Sequence, residues 1–258
     1  MPHRKTSVLA AALLALLAAC DRAPATPSAA QSAAPREILG LMTSLPLYWP
    51  LKAEVEDIAA GRVALPWQRA ALEQVFVIEP LDSLAPIPGL AANAPATDPL
   101  AGLTRLAVIQ PRGLTPADNV ALDEWVRGGG RLLLVLDPAL TGEYDLPLGD
   151  PRRPADSALI PPVVARWGLA VRFDEVQNDA VVERALAGAA LPLVLAGEVT
   201  ITDASAAACT LLADGAAVRC TVGKGEVTLI ADAALFEHRE LAGEGDSHLR
   251  TLLAEVLG

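Results

Sequence analysis

Residues 105–137 spell out one supersecondary unit and leave little room for another. Residues 105–110 are an apolar run of strand length. Thr115-Pro116-Ala117-Asp118 reads as a helix start, with threonine as the cap, proline at the first helical position and an acid in the first turn. Val120, Leu122, Trp125 and Val126 then supply an apolar helical face. Gly128-Gly129-Gly130 stops the helix, and residues 131–136 form a second apolar run that ends at Asp137-Pro138. Strand, helix and strand at this spacing predict a βαβ crossover, and so a parallel sheet. Parallel sheets bury both faces. The fold expected is therefore α/β, a mainly parallel sheet with helices on both faces.

The rest of the chain fits that frame. Strands are expected at 38–45, 75–78, 169–173, 191–195, 199–202 and 226–231, and helices at 51–60, 67–74, 163–167 and 248–257. Asp214-Gly215 is a hairpin signal of type I′. Cys209 and Cys220 lie equidistant from that turn and face each other across it. With a two-residue loop they fall on a hydrogen-bonded pair, whose Cα atoms lie about 5.5 Å apart. A late β-hairpin closed by a Cys209–Cys220 disulfide is the expectation. The glycines at 128–130 follow a helix and precede a strand, the reverse of a phosphate cradle.

The N-terminus reads differently. Arg4 and Lys5 precede twelve apolar residues, 8–19, a run too short to span a bilayer at about 20 residues. Leu17-Ala18-Ala19-Cys20 resembles the lipobox of bacterial lipoproteins. That resemblance implies a signal peptide over 1–19, a lipid on Cys20, and a sorting role for Asp21 that favours the periplasmic face of the inner membrane. Residues 20–36 are rich in Ala, Pro, Ser and Thr and read as a flexible tether reaching roughly 20–25 Å. Residues 37–258 then form a single α/β domain. Loss of Arg4 and Lys5 with the leader takes the formal charge from −11 to −13. Such a chain lacks the basic footprint of a nucleic-acid binder. It meets a membrane through its lipid anchor and not through a basic patch.

The chemistry-bearing residues are few. Asp137 and Asp232 each end a strand, where α/β proteins place ligand groups. Each equally suits a cap on the following turn. His238 lies next to Glu237, and His248 follows Asp246 and Ser247, neither in a metal-site spacing. No serine stands in a GxSxG elbow, and the two late cysteines are too far apart for CxxC chemistry. Tyr48 and Trp49 follow the first strand and suit either a ligand groove with Asp137 or the core. No metal or cofactor is expected.

Two stretches carry a family resemblance. Ala121-Leu-Asp-Glu-Trp-Val-Arg-Gly-Gly-Gly-Arg-Leu-Leu-Leu-Val-Leu-Asp-Pro138 is similar to a segment of the gliding-motility GldG-like ABC-transporter auxiliary proteins. Gly223-Lys-Gly-Glu-Val-Thr-Leu-Ile-Ala-Asp232, followed by Phe236, is similar to their late segment. The resemblance implies a class I glutamine-amidotransferase-like or flavodoxin-like layer without the catalytic Cys-His-Glu set. It further implies a non-catalytic, lipid-anchored binding or scaffold protein, with the ATPase and permease subunits of an ABC transporter as partners. The alternatives are a divergent hydrolase using Asp137 and Asp232 with His238 nearby, or a small-ligand binder with its cleft at the strand ends.

Overall fold

A computed structural model describes residues 36–91 and 93–258. The elements, in chain order, are β1 (Ile38–Thr43), α1 (Val55–Ala59), α2 (Trp67–Val75), β2 (Val77–Pro80), β3 (Arg105–Ile109), α3 (Pro116–Gly128), β4 (Arg131–Val135), α4 (Pro162–Arg166), β5 (Leu169–Arg172), β6 (Val182–Leu186), β7 (Ala189–Leu193), β8 (Glu198–Ile201), β9 (Ala208–Leu212), β10 (Ala217–Val222), β11 (Gly225–Ile230), α5 (Ala234–Glu237) and α6 (Ser247–Leu257). The main sheet has seven strands in the order β2-β1-β3-β4-β11-β10-β9. β2, β1, β3, β4 and β11 are mutually parallel, and β10 and β9 complete the sheet antiparallel. The protein is thus α/β, with a mixed, mainly parallel sheet flanked by helices and a late hairpin.

Strand alternation decides which helix covers which face. Leu39, Leu41, Ala107, Ile109, Leu133 and Val135 point to one side, where α2 and α6 bury Leu72, Leu249, Leu252, Leu253 and Val256. Leu106, Val108, Leu132, Leu134, Val227 and Leu229 point to the other, under Leu122 and Val126 of α3, Val164 of α4 and Trp167 just after it. The near-continuous apolar runs of β3 and β4 follow from burial on both faces.

The crossover helix α3 starts as its sequence dictates. The Thr115 hydroxyl accepts from the Asp118 N–H at 3.1 Å, and the Asp118 carboxylate accepts from the Thr115 N–H at 3.0 Å. Gly129, at φ +124°, ends it. Its buried face differs from the one expected. Val120 is 57% exposed, whereas Asn119 and Asp123 are buried beside Leu122 and Val126. Positions 119, 122, 123 and 126 share one stripe, and the polar pair is retained because each has partners. Asp123 accepts from the Trp167 indole at 2.8 Å and from Arg127 and Arg166 at 2.9 and 2.6 Å.

Other boundaries also shift. The helix expected over 51–60 forms only at 55–59, and the strand expected at 75–78 starts at Val77 because α2 runs through Val75. β5 and β8 pair with each other in a two-stranded sheet, as do β6 and β7, so these segments stand outside the main sheet. β6, with Glu183 and Arg184, carries no strand signal of its own and is held by β7.

Cys209 and Cys220 form a disulfide. They face each other in the β9–β10 ladder, but the connection spans residues 213–216 and is not a two-residue turn. The longer loop moves the ladder's phase by one pair. The Cα separation is accordingly 4.1 Å, that of a non-hydrogen-bonded pair and not the 5.5 Å expected.

Candidate functional site

The parallel strands all end on one edge of the sheet, and the loops leaving that edge gather most of the buried polar groups. Asp137 follows β4 and Asp232 follows β11, on neighbouring strands. The structure brings both to the expected edge, buries them and uses their oxygens. Asp137 accepts from the N–H groups of Ala139 at 2.7 Å and Ala233 at 2.8 Å. Asp232 accepts from Ala234 and Val194, both at 2.7 Å. Each carboxylate therefore caps its own turn and ties a second segment to it. Burial pushes both acids up against these hydrogen bonds, Asp137 to about 7 and Asp232 to about 8. The neighbouring Asp137 and Glu237 charges raise Asp232 further. Neither acid is open to a substrate, since Asp137 is fully buried and Asp232 is 3% exposed.

Gln110 carried no signal in the sequence and is the keystone of this edge. It follows β3 at φ +44° and is fully buried. Its amide donates to the carbonyls of Asp137 at 3.0 Å and Ala155 at 2.8 Å, and its Oε1 accepts from the Asp137 N–H at 2.8 Å. Ser44, after β1, donates to the Gln110 carbonyl at 2.6 Å. Strands β1 and β3 diverge toward opposite neighbours, so a crevice is expected between their ends. The Ser44–Gln110 contact closes it, and the open space lies to one side.

That space is a cleft of ≈ 480 Å³. The loop after β1 supplies Pro46, Pro50, Leu51 and Lys52; the segment after β4 supplies residues 142–145; α5 supplies Phe236 and Glu237; the start of α2 supplies Trp67 and Gln68. Glu237 organises the wall. Its carboxylate accepts from the Thr141 and Gly142 N–H groups, both at 3.0 Å, and from the Tyr144 hydroxyl at 2.5 Å. Burial and this carboxylate hold the Tyr144 phenol well above its usual range. Beside it the Thr141 hydroxyl lies 2.9 Å from His238 Nε2 and 3.3 Å from the Glu237 carboxylate, two acceptors for its one proton, and Glu240 lies 3.5 Å from His238 Nδ1. A hydroxyl, an imidazole and a carboxylate thus stand in the order of a nucleophilic relay.

The expected groove of Tyr48, Trp49 and Asp137 does not assemble. The Tyr48 hydroxyl donates to the Leu41 carbonyl at 2.5 Å, and Arg69 stacks on Trp49 at 4.9 Å from the ring centre. Their chain neighbours, not these residues, line the cleft. Trp67, Gln68, Tyr144 and Glu237 carry no shared sequence signal, because nothing local ties four segments to one cavity. His248 is remote from this chemistry, its Nδ1 at 2.9 Å from the Leu241 carbonyl. A second cavity of ≈ 360 Å³ lies between the β6–β7 hairpin, the turn at 213–216 and residues 174–180. Among the described residues no group of three or more His, Cys, Asp or Glu side chains converges as metal ligands, and no helix is long and apolar enough to cross a membrane. Cys20 and Asp21 lie outside the described residues.

No protein-family model matches the chain, and no curated protein does. Solved structures do. An exo-β-1,4-mannosidase from Opitutaceae bacterium strain TAV5 is similar at TM-score 0.49 and 10% identity over 87% of this chain and 36% of its own. A β-galactosidase from Rahnella sp. R3 is similar at TM-score 0.46 and 11% identity, over 85% and 31%. A cytoplasmic protein from Salmonella typhimurium LT2 is similar at TM-score 0.42 and 12% identity, over 85% of this chain and 99% of its own. The chain spans about a third of the length of the glycosidases it matches.

These findings correct the family read from the sequence. The helix–glycine–strand–Asp-Pro pattern and its later counterpart are α/β building blocks, and they do not single out the GldG-like proteins. The non-catalytic scaffold role, the transporter-auxiliary and amidotransferase-like labels and the expectation that the chain is not an enzyme all rested on that family. They fall with it, because no family model and no curated protein ties the chain to that family.

Proposed function

We propose that the protein binds a small ligand at the carboxyl edge of its sheet, in the cleft between Lys52, Trp67, Tyr144 and Glu237. The observation that carries this reading is the cleft itself. Four separate segments converge on it, and it offers aromatic and apolar walls with a few polar groups, the usual character of a small-molecule site. The parallel strands run in the order 2-1-3-4-5, which supports placing the fold in the flavodoxin-like class, whose ligands sit at this edge. Thermal-shift screening of a small-molecule library on wild type and on Trp67→Ala tests it. A hit whose shift disappears in the variant is the expected result. Hits that persist in Trp67→Ala sink the assignment to this cleft.

A second reading, hydrolysis, is favoured by the 2.9 Å contact between Thr141 and His238. In it the imidazole takes the hydroxyl proton as the Thr141 oxygen attacks an ester's acyl carbon. The imidazolium, steadied by Glu240, gives that proton to the departing alkoxide, and water cleaves the acyl-enzyme by the same route to release the acid and restore the hydroxyl. Asp137 and Asp232 take no part, being buried and fully engaged. Turnover of a model ester by the wild type, lost in both Thr141→Val and His238→Gln, is the expected pattern. Turnover that survives either change removes the reading.

We further propose that the domain is held on the periplasmic face of the inner membrane by a lipid on Cys20, with residues 1–19 removed and 20–36 as tether. Its support is the lipobox-like run before Cys20 and the Asp at 21. Labelled palmitate should enter the wild type and not Cys20→Ser; equal labelling of both excludes the anchor.

A further inference from the structure

The polar lining of the carboxyl-edge cleft has a direction. Gln68 lines the cleft, and 93% of its surface is buried (relative exposure 7%). Its Nε2 donates to the Phe236 carbonyl at 2.9 Å, which fixes the amide, because that carbonyl can only accept. Its Oε1 has no hydrogen-bond partner among the described residues, yet it is not among the sealed, unsatisfied atoms. It therefore opens onto the cleft as a bare acceptor. An accessible acceptor fixed in this way is met by water or by a ligand that donates, and it offers nothing to a ligand that only accepts.

The other polar groups agree. Glu143 lines the cleft with neither a hydrogen bond nor an ion pair among the described residues. Glu237 adds a fixed negative charge, although its oxygens are occupied by Thr141, Gly142 and Tyr144. Asp145 is paired with Lys52, the only cation in the lining. Three carboxylates thus face one ammonium, in a protein whose net charge is −11. An anionic ligand would meet a repulsive field, whereas a cation is drawn in. Trp67 presents a ring, a surface on which cations and apolar bodies both rest, whereas the Tyr144 ring already carries the Arg153 guanidinium at 6.0 Å from its centre.

Resting on the cleft as the binding site, we infer that its ligand is an organic cation: a protonated amine on an apolar or aromatic body, donating to Gln68 Oε1 and balanced by Glu143 and Glu237. The amine end faces the carboxylates, and the body lies along Trp67, Leu51 and the prolines. Lys52 is a competitor, since it occupies Asp145.

Isothermal titration of the full chain with four probes of similar size tests this: benzylamine, benzyl alcohol, benzoate and a neutral methyl glycoside. Benzylamine is expected to bind about tenfold more tightly than benzyl alcohol, as one cation–π contact and one charge-assisted hydrogen bond allow, with no measurable binding of benzoate. Glu143→Gln, at an exposed position, should weaken the amine several-fold and leave the alcohol unchanged. Lys52→Ala should strengthen the amine by freeing Asp145. Raising salt should weaken it. Equal or tighter binding of benzyl alcohol, benzoate or the glycoside overturns the cation inference. If that binding is lost in Trp67→Ala, the cleft survives as the site and only its ligand class is wrong. Failure of all four probes at millimolar concentration overturns both.

Discussion

Gln110 accepts a backbone conformation that a side chain with a Cβ disfavours, φ +44°, at a cost of about 1–3 kcal/mol. Three amide hydrogen bonds hold it there. Gln110→Leu keeps the size, loses all three bonds and retains the strain. It should lower stability by about 3 kcal/mol or more, measured by urea denaturation, because each stranded partner costs about 1–3 kcal/mol. Asp137 and Asp232 make stability depend on pH in the direction opposite to a salt-bridged carboxylate. Their folded values, about 7 and about 8, stand above the ordinary 3.8, so between these limits the native state holds more protons than the unfolded chain. Their contribution is complete below pH ~4 and is lost as pH rises through 7 and 8. Denaturation midpoints should fall from pH 5 to pH 8.5, and Asp232→Asn should flatten that fall. A midpoint that rises over this window contradicts the assignment.

At the scale of elements, the α3–α4 junction turns on Asp123. Asp123→Ala strands the buried Trp167 indole and removes both arginine contacts, an expected loss of about 2–3 kcal/mol by thermal or chemical unfolding. Just beyond, Gly168 turns from α4 into β5 at φ +76°, and a Cβ there would lie 2.1 Å from the Asp203 carbonyl oxygen. Gly168→Ala is accordingly disruptive, since the buried turn has neither the room nor the backbone conformation for a side chain. The β9–β10 hairpin depends on its disulfide, because β9 is an edge strand with Thr210 and Leu211 exposed and few side chains to pack. Cys209→Ala with Cys220→Ala, or reductant, should cost about 2–4 kcal/mol. Hydrogen exchange should show β9 losing protection first.

At the scale of the molecule, α6 is indispensable. It is the last element of the chain, yet Leu249, Leu252, Leu253, Val256 and Leu257 cover one face of a sheet begun at residue 38. At roughly 2 kcal/mol for each buried side chain, that face accounts for about 10 kcal/mol, as much as a domain's whole net stability. A chain ending at residue 246 should remain unfolded, with an open sheet face that binds a hydrophobic dye.

Local chemistry determined part of this protein without help from the fold. The Thr115-Pro116 cap, the glycine stop at 129, the apolar runs of β3 and β4 and the facing pair Cys209 and Cys220 each depend on neighbours within one element or one hairpin, and each was legible in the sequence. So was the placing of Asp137 and Asp232 at strand ends. Their fate was not, because burial and the N–H donors they meet come from Ala233 and Val194, 96 and 38 residues away in the chain. The same holds for Gln110, an ordinary residue until Asp137 and Ala155 lie against it. It holds too for the cleft, whose Lys52, Gln68, Tyr144 and Glu237 share no motif. Periodicity records which face of an element is apolar. Only the tertiary structure decides which faces meet, and a site built from four segments exists only after they have met.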